Sequence, residues 1–223
     1  MDYLYLIAGA LAILLLTVFM RKGRSSGPSV VVLGPQGSGK TFLFHQVKHT
    51  QLQSGKEVKT VSSLKPNSAL LSTPKPFTLW DVPGHSYFRE NLIKEASQAV
   101  GAILIVDAND RSSFKAAAEQ LYDLFATRKP KEILIFCNKQ DLPMAKKSLM
   151  VESEISTEMY LLCSERLKRS KDMGEEASVV GRPDERFEFS HMADHGVQVK
   201  LAEGSLLQND YAVVREFLAK ILQ

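Results

Sequence analysis

Three short segments of this chain carry residue types suited to holding a phosphorylated nucleotide. Gly34-Pro35-Gln36-Gly37-Ser38-Gly39-Lys40-Thr41 satisfies the pattern G-x-x-x-x-G-K-[ST]. It follows the apolar run Val30-Val31-Val32-Leu33 and precedes a helical stretch, the context in which such a loop cradles phosphates. Its glycines let successive backbone N–H groups, from Gly34 through Gln36, Gly37, Ser38 and Gly39, turn inward around phosphate oxygens at a helix N-terminus, where the helix dipole also favours negative charge. Lys40 is expected to reach the β- and γ-phosphates and to act in catalysis, and the Thr41 hydroxyl to ligate Mg²⁺. A lysine at a helix N-terminus is unfavourable without an anion beside it.

That loop alone does not separate ATP from GTP. Asn138-Lys139-Gln140-Asp141 closes the run Ile133-Leu134-Ile135-Phe136-Cys137, and an aspartate there accepts paired hydrogen bonds from the guanine N1–H and 2-amino groups. Adenine presents a bare acceptor at N1, which a carboxylate repels. GTP with Mg²⁺ is therefore the expected ligand, with Asn138, Lys139 and Asp141 at the base. Between the two motifs lies Asp81-Val82-Pro83-Gly84. Asp81 is expected to hold Mg²⁺ through water, and the Gly84 N–H to sense the γ-phosphate, coupling nucleotide state to loop position.

Such a site needs a frame that brings several strand ends together. From Val30 onward, short β-branched runs alternate with longer amphipathic stretches, the pattern of an α/β domain with a mainly parallel sheet. Strands are expected at Val30–Leu33, Phe77–Val82, Ala102–Val106, Ile133–Asn138 and Val197–Leu201, and helices at Lys40–His49, Ser86–Ala99, Ser112–Thr127, Ala145–Lys168 and Asp210–Leu222. Tyr211, Val214, Phe217, Leu218 and Ile221 recur at helical spacing and form a core-facing stripe. Residues 169–186, rich in mixed charge with Gly and Pro, read as a surface insertion. The nucleotide-binding domain is expected to occupy residues 30–223.

Ahead of it, residues 3–20 carry no charge, and as a helix they would cover about 27 Å, the hydrocarbon thickness of a thin bilayer. Asp2 precedes the span while Arg21, Lys22 and Arg24 follow it. A cleaved signal peptide has the opposite charge order, so residues 1–20 are expected to be an uncleaved anchor with the following domain on the cytosolic side. Residues 21–29 read as a short basic linker that reaches at most about 30 Å when extended.

A net charge of +3 and a pI near 8.8, with positive residues scattered apart from Arg21, Lys22 and Arg24, give no reason to expect direct nucleic-acid binding. Cys137 and Cys163 fit neither a disulfide framework nor a zinc site. Cys137 is expected to be a small core residue.

The motifs together resemble small GTPases of the Ras superfamily, nearest to the Arf and Sar branch by Trp80-Asp81 and Asn138-Lys139-Gln140-Asp141. Arf and Sar proteins use an amphipathic, often lipidated N-terminal helix. This chain instead has an uncharged span, and Asp2 stands where myristoylation requires a glycine. An N-terminal anchor, Asp81-Val82-Pro83-Gly84-His85, a long charged helix after the base motif, Phe187-Glu188-Phe189-Ser190 and a closing helix ending Phe217-Leu218-Ala219-Lys220-Ile221 resemble the family of β subunits of the signal recognition particle receptor.

The resemblance implies a P-loop GTPase fold with a mainly parallel sheet of six strands after one transmembrane helix. It implies a GTP-dependent dock for the receptor's α subunit at the endoplasmic reticulum membrane, serving cotranslational targeting, and leaves contact with the ribosome or translocon open. It places a guanine-contacting loop at Glu203-Gly204-Ser205-Leu206, with backbone contact from Gly204 and Ser205, and the switch Mg²⁺ ligand at Thr60, with Ser62 as the alternative. His85 stands where many GTPases carry a water-orienting glutamine; it either orients the attacking water or is a switch-loop residue with slow chemistry. The expectation is slow intrinsic hydrolysis or stable GTP occupancy, with a rate that depends on a partner. An Arf- or Sar-type trafficking GTPase, or a constitutive GTP-bound scaffold without turnover, is the competing expectation.

Overall fold

The computed structural model describes residues 27–52, 67–72, 75–84, 96, 98–127, 130–174, 180–182 and 185–222. The N-terminal span, Thr60, Ser62, His85 and nearly all of the expected helix Ser86–Ala99 lie outside these residues. Among the described residues, no helix is long and apolar enough to cross a membrane.

Six strands form one sheet: β1 (Ser29–Leu33), β2 (Asn67–Leu71), β3 (Phe77–Asp81), β4 (Gly101–Asp107), β5 (Glu132–Asn138) and β6 (Gln198–Glu203), in spatial order β2-β3-β1-β4-β5-β6. The pairs β1/β3, β1/β4, β4/β5 and β5/β6 are parallel, and β2/β3 is antiparallel. Helices α1 (Lys40–Leu52), α2 (Arg111–Ala126), α3 (Ser148–Met173) and α4 (Ala212–Ile221) and a 3₁₀ helix at Phe189–His195 complete the described elements.

The central strands are continuous apolar runs because both faces of a parallel sheet are covered. Alternate side chains separate into two cores. Val30, Val32, Ile103, Ile105, Leu134 and Phe136 pack with Leu43, Phe44 and Val47 of α1 and with Val214, Phe217 and Leu218 of α4. Val31, Leu33, Leu104, Val106, Ile135 and Cys137 pack on the opposite face with Phe114, Leu121 and Leu124 of α2 and with Val151, Ile155 and Met159 of α3. Each Leu or Phe fully buried here stabilises by about 1.5–3 kcal/mol before entropy is counted. Cys137 is buried and free, and burial pushes its thiol up to about 12; Cys163 is also free, at about 11 for the same reason.

Local signals account for several element ends. Asp110 caps α2, accepting from the Ser112 N–H at 2.9 Å. Gly174, at φ 68°, ends α3 in the left-handed conformation. The closing stripe is as expected: Tyr211, Val214, Phe217 and Leu218 are buried, and Gly101 leaves room for Ile221, whose Cδ1 would stand 2.4 Å from a Cβ there.

The differences from expectation are instructive. Helix α3 starts at Ser148, not Ala145, because the chain turns at residues 140–144 and is then tied to the end of β4, with the Lys146 N–H donating to Ala108 O at 2.9 Å, and Lys147 is extended as the N-cap. It then runs on to Met173, so residues 169–173 of the expected surface insertion are helix. Within that segment Val180 is also buried, and Phe187 just beyond it stacks on Phe125 with ring centroids 6.2 Å apart. Val180 thus packs into the α2 side of the core with Phe187, while residues 169–173 are helix on the surface. Strand β2 was not among the five expected strands.

Candidate nucleotide-binding site

The C-terminal ends of β1, β3 and β5 place the three motifs side by side. Where β1 ends, the chain enters the loop with Gly34 at φ 140°, Gly37 at φ 78° and Gly39 at φ 110°, backbone conformations that favour glycine. Gly39 also has no room for a side chain, since a Cβ would stand 2.6 Å from Asn138 Nδ2. Ser38 is fully buried, whereas Gln36 is exposed on the loop's crown.

Lys40 opens α1 and is 7% exposed. Its Nζ donates to Pro35 O at 2.6 Å. Burial pulls its pKa from the ordinary 10.5 down to about 8, with Asp81 opposing the shift. The ammonium is thus poorly solvated, and an anion at the loop would compensate it.

Thr41 Oγ1 donates to Asp81 Oδ2 at 2.8 Å, and Asn67 Nδ2 reaches the same oxygen at 3.4 Å. Asp81 is fully buried, and its other oxygen, Oδ1, has no hydrogen-bond partner among the described residues. A buried carboxylate oxygen left unsatisfied beside a hydroxyl is a hard-oxygen donor set that suits Mg²⁺, which takes few protein ligands and keeps its waters. No group of three or more His, Cys, Asp or Glu side chains converges on a metal site among the described residues.

Gly84 packs directly on the loop. A Cβ there would stand 2.4 Å from Gly34 O, 2.7 Å from Lys40 Nζ and 2.9 Å from the Gln36 N. Only glycine fits at this approach.

At the base end, Asn138 is a clip between three segments. Its Nδ2 donates to Ser38 O at 2.8 Å, and its Oδ1 accepts the Leu206 N–H at 3.0 Å. Ser205 Oγ donates to Asp141 Oδ1, leaving the second carboxylate oxygen for a ligand. Lys139 adopts φ 67° and its ammonium pairs with Asp107 at the end of β4. Gly39, Phe42, Asn138, Lys139, Asp141, Leu142, Leu206 and Leu207 line a pocket of about 300 Å³, which falls within the size range of small-molecule sites.

The geometry corrects the register of the last loop. Gly204 does not face this pocket: its N–H donates to Cys137 O and its carbonyl accepts from the Gln140 N–H, each at 3.2 Å. A Cβ on Gly204 would stand 2.2 Å from Asp210 O, so this glycine serves close packing. Ser205 reaches the site through its hydroxyl on Asp141 rather than through its backbone, while Leu206 and Leu207 supply the lining. The sequence reading included Leu206 in the guanine-contacting loop but missed Leu207, Phe42 and Leu142 as lining residues. It also missed Gln120 on α2, which bonds the loop backbone at Gly34. Only the small-polar run Gly204-Ser205 pointed toward the loop, and nothing pointed to Gln120.

Known proteins similar to this chain share one family and one fold. The family model described as signal recognition particle receptor beta subunit matches residues 25–197. The mouse signal recognition particle receptor subunit beta is 30% identical over 198 residues, covering 82% of this chain and 72% of its own length. A structure described as that of the mammalian SRP receptor superposes with a TM-score of 0.70 at 29% identity, covering 86% of this chain and 99% of that one. The SRβ-GTP/SRX complex from Chaetomium thermophilum shares the fold at a TM-score of 0.66 and 21% identity, over 80% of this chain and 93% of its own. The family match over residues 25–197, together with relatives about 30% identical over most of the chain, shows that it belongs to the signal recognition particle receptor β-subunit family.

Proposed function

We propose that this chain binds GTP with Mg²⁺ at the cleft between Gly34–Thr41 and Asn138–Asp141, and in that state docks the α subunit of the receptor at the endoplasmic reticulum membrane. The geometry supports a role for each residue. Backbone N–H groups of the loop and Lys40 hold the phosphates, and Asp141, steadied by Ser205, reads the guanine edge. Lys139 and the apolar lining flank the base. Thr41 and Asp81, together with Thr60 from the switch segment, would hold Mg²⁺, which when bound neutralises charge on the β- and γ-phosphates.

Gly84 presents its peptide to the γ-phosphate. His85 follows it in sequence, and its imidazole either orients water or leaves the chemistry slow. We place turnover without a partner at the slow end, with its rate set by a partner. Residues 1–20 anchor the chain once across the membrane, with residues 21–29 as linker and residues 30–223 in the cytosol. One observation carries the nucleotide reading: the Asn138 amide ties Ser38 of the phosphate loop to Leu206 of the β6–α4 loop, which builds the base pocket directly onto the phosphate cradle. The α-subunit docking is supported by the family and by a fold neighbour that is itself a GTP-loaded complex with SRX.

The test is a pull-down from detergent-solubilised membranes, with the full chain loaded with GTP or GDP. Recovery of the α subunit with GTP alone is expected. Equal recovery with GDP, or with nucleotide-free protein, would overturn the GTP-dependent docking. Resistance of the chain to alkaline carbonate extraction separates a permanent anchor from a GTPase of Arf or Sar type that cycles on and off the membrane.

A further inference from the structure

Gln120 lies on α2, outside every motif that marks the site, yet its side chain ends at the phosphate loop. Its Oε1 accepts the Gly34 N–H at 2.8 Å, and its Nε2 lies 3.2 Å from Gly34 O and 3.3 Å from Gly84 O. The chemistry fixes the orientation of the amide. The Gly34 N–H can only donate and the two carbonyls can only accept, so a flipped amide would set donor against donor and acceptor against acceptor.

The stripe to which Gln120 belongs is otherwise inward-facing: Ser113, Ala117 and Leu124 share its side of α2 at helical spacing and are all buried. Ser113 accepts the Asp107 N–H at 3.1 Å, serving the end of β4. Gln120 serves two other chain segments at once. It forms a paired hydrogen bond with the first glycine of the phosphate loop and a third bond to the glycine that ends Asp81–Gly84.

Gly84 is pressed against the loop at this point, with the site of its missing side chain 2.7 Å from Lys40 Nζ. With Gly84 this close to Lys40, to Gly34 O and to the Gln36 N, the gap that a terminal phosphate on the loop would need is closed, whereas a diphosphate does not need it. We propose that Gln120 is a positioning residue that pins Gly84 to the phosphate loop, so that Gly84 must lift away to admit a third phosphate, and that it thereby sets the preference of the site for GDP over GTP. The proposal rests on the guanine-nucleotide reading above.

The test titrates the full chain in detergent micelles with a non-hydrolysable GTP analogue and with GDP, for the wild type, Gln120→Leu and Ser113→Ala. Gln120→Met is the second variant if the leucine form does not fold. Loss of the amide frees Gly84 to lift from the loop and is expected to shift the GTP-analogue:GDP affinity ratio toward the GTP analogue roughly fivefold to tenfold, the size of one lost hydrogen bond. Ser113→Ala should leave the GTP:GDP ratio at its wild-type value. A purely structural role for Gln120 would weaken both nucleotides alike, and that result, or an unchanged ratio, would overturn the proposal. Wild-type protein that binds neither nucleotide would overturn the guanine reading and this proposal together, whereas normal binding with an unchanged ratio in Gln120→Leu overturns this one alone.

Discussion

At the base end of the cleft, Asn138 and Ser205 already commit their polar atoms to neighbouring loops, whereas at the phosphate end Ser38 Oγ and Asp81 Oδ1 are buried with no partner among the described residues. The base end is a finished shape, and a ligand entering it meets little reorganisation. The phosphate end holds unsatisfied buried atoms, each worth about 1–3 kcal/mol, and a lysine whose charge is disfavoured by its surroundings. On the proposed reading, discrimination between bases resides in preorganised geometry, and binding strength resides in relief of unsatisfied polar groups.

The largest break in that contrast is Lys40→Ala. It removes the charge that phosphates complete, and nucleotide affinity in a fluorescence titration should fall by roughly a hundredfold or more. At the other end, Asp141→Asn should weaken GTP by roughly thirtyfold. It should weaken ITP, which lacks the 2-amino group, much less, so that the GTP:ITP ratio collapses. A parallel loss of both would mean that Asp141 supports the loop rather than reading the base.

Proton linkage separates the two ends without a mutation. In the nucleotide-free protein Lys40 titrates at about 8 against an ordinary 10.5, and phosphate stabilises its charged form. Nucleotide binding therefore takes up a proton above pH 8, and affinity should decline as pH rises, by about tenfold at one unit above that value. Lys40→Arg stays charged and should flatten this profile. The sign for folding runs the other way. The unfolded chain binds more protons between pH 8 and 10.5, so this residue's contribution to stability rises with pH across that window. The smallest effect belongs to Ser205→Ala. It frees Asp141 from its hydroxyl partner and should weaken GTP by about threefold with little change in ATP rejection.

What could be read from the chain divides along similar lines. The phosphate loop, the base motif and strands β1, β3, β4 and β5 announce themselves locally, because each is a contiguous run whose residues act on one another. Strand β2 does not: Asn67-Ser68-Ala69-Leu70-Leu71 is mostly exposed at the sheet edge, and its strand character comes from pairing with β3 across a chain reversal. The end of α3 was misjudged because the charged residues after Lys168 resemble a loop, while the decisive residue is Gly174, which adopts the left-handed terminating conformation. Gly204 and Ser205 look interchangeable as small polar residues. Only the hydrogen bonds that occupy Gly204 on both sides distinguish them. Gln120 had no signal at all, since one glutamine on an amphipathic helix becomes meaningful only when the fold brings Gly34 and Gly84 beneath it.

Strand β1 ends at the phosphate loop, and at its other end the chain comes in through Pro28 and Ser29, whose carbonyls accept from the Thr78 N–H at 3.0 Å and the Val100 N–H at 2.8 Å. From there β1 is hydrogen-bonded to β3 on one side and β4 on the other, in parallel register. A pull applied at Gly27 would therefore load two ladders in shear, where many bonds must yield together instead of opening one by one. Tension on the chain would be absorbed by the sheet before it reached Gly34. The nucleotide cleft is mechanically insulated from whatever holds the protein by its N-terminal end.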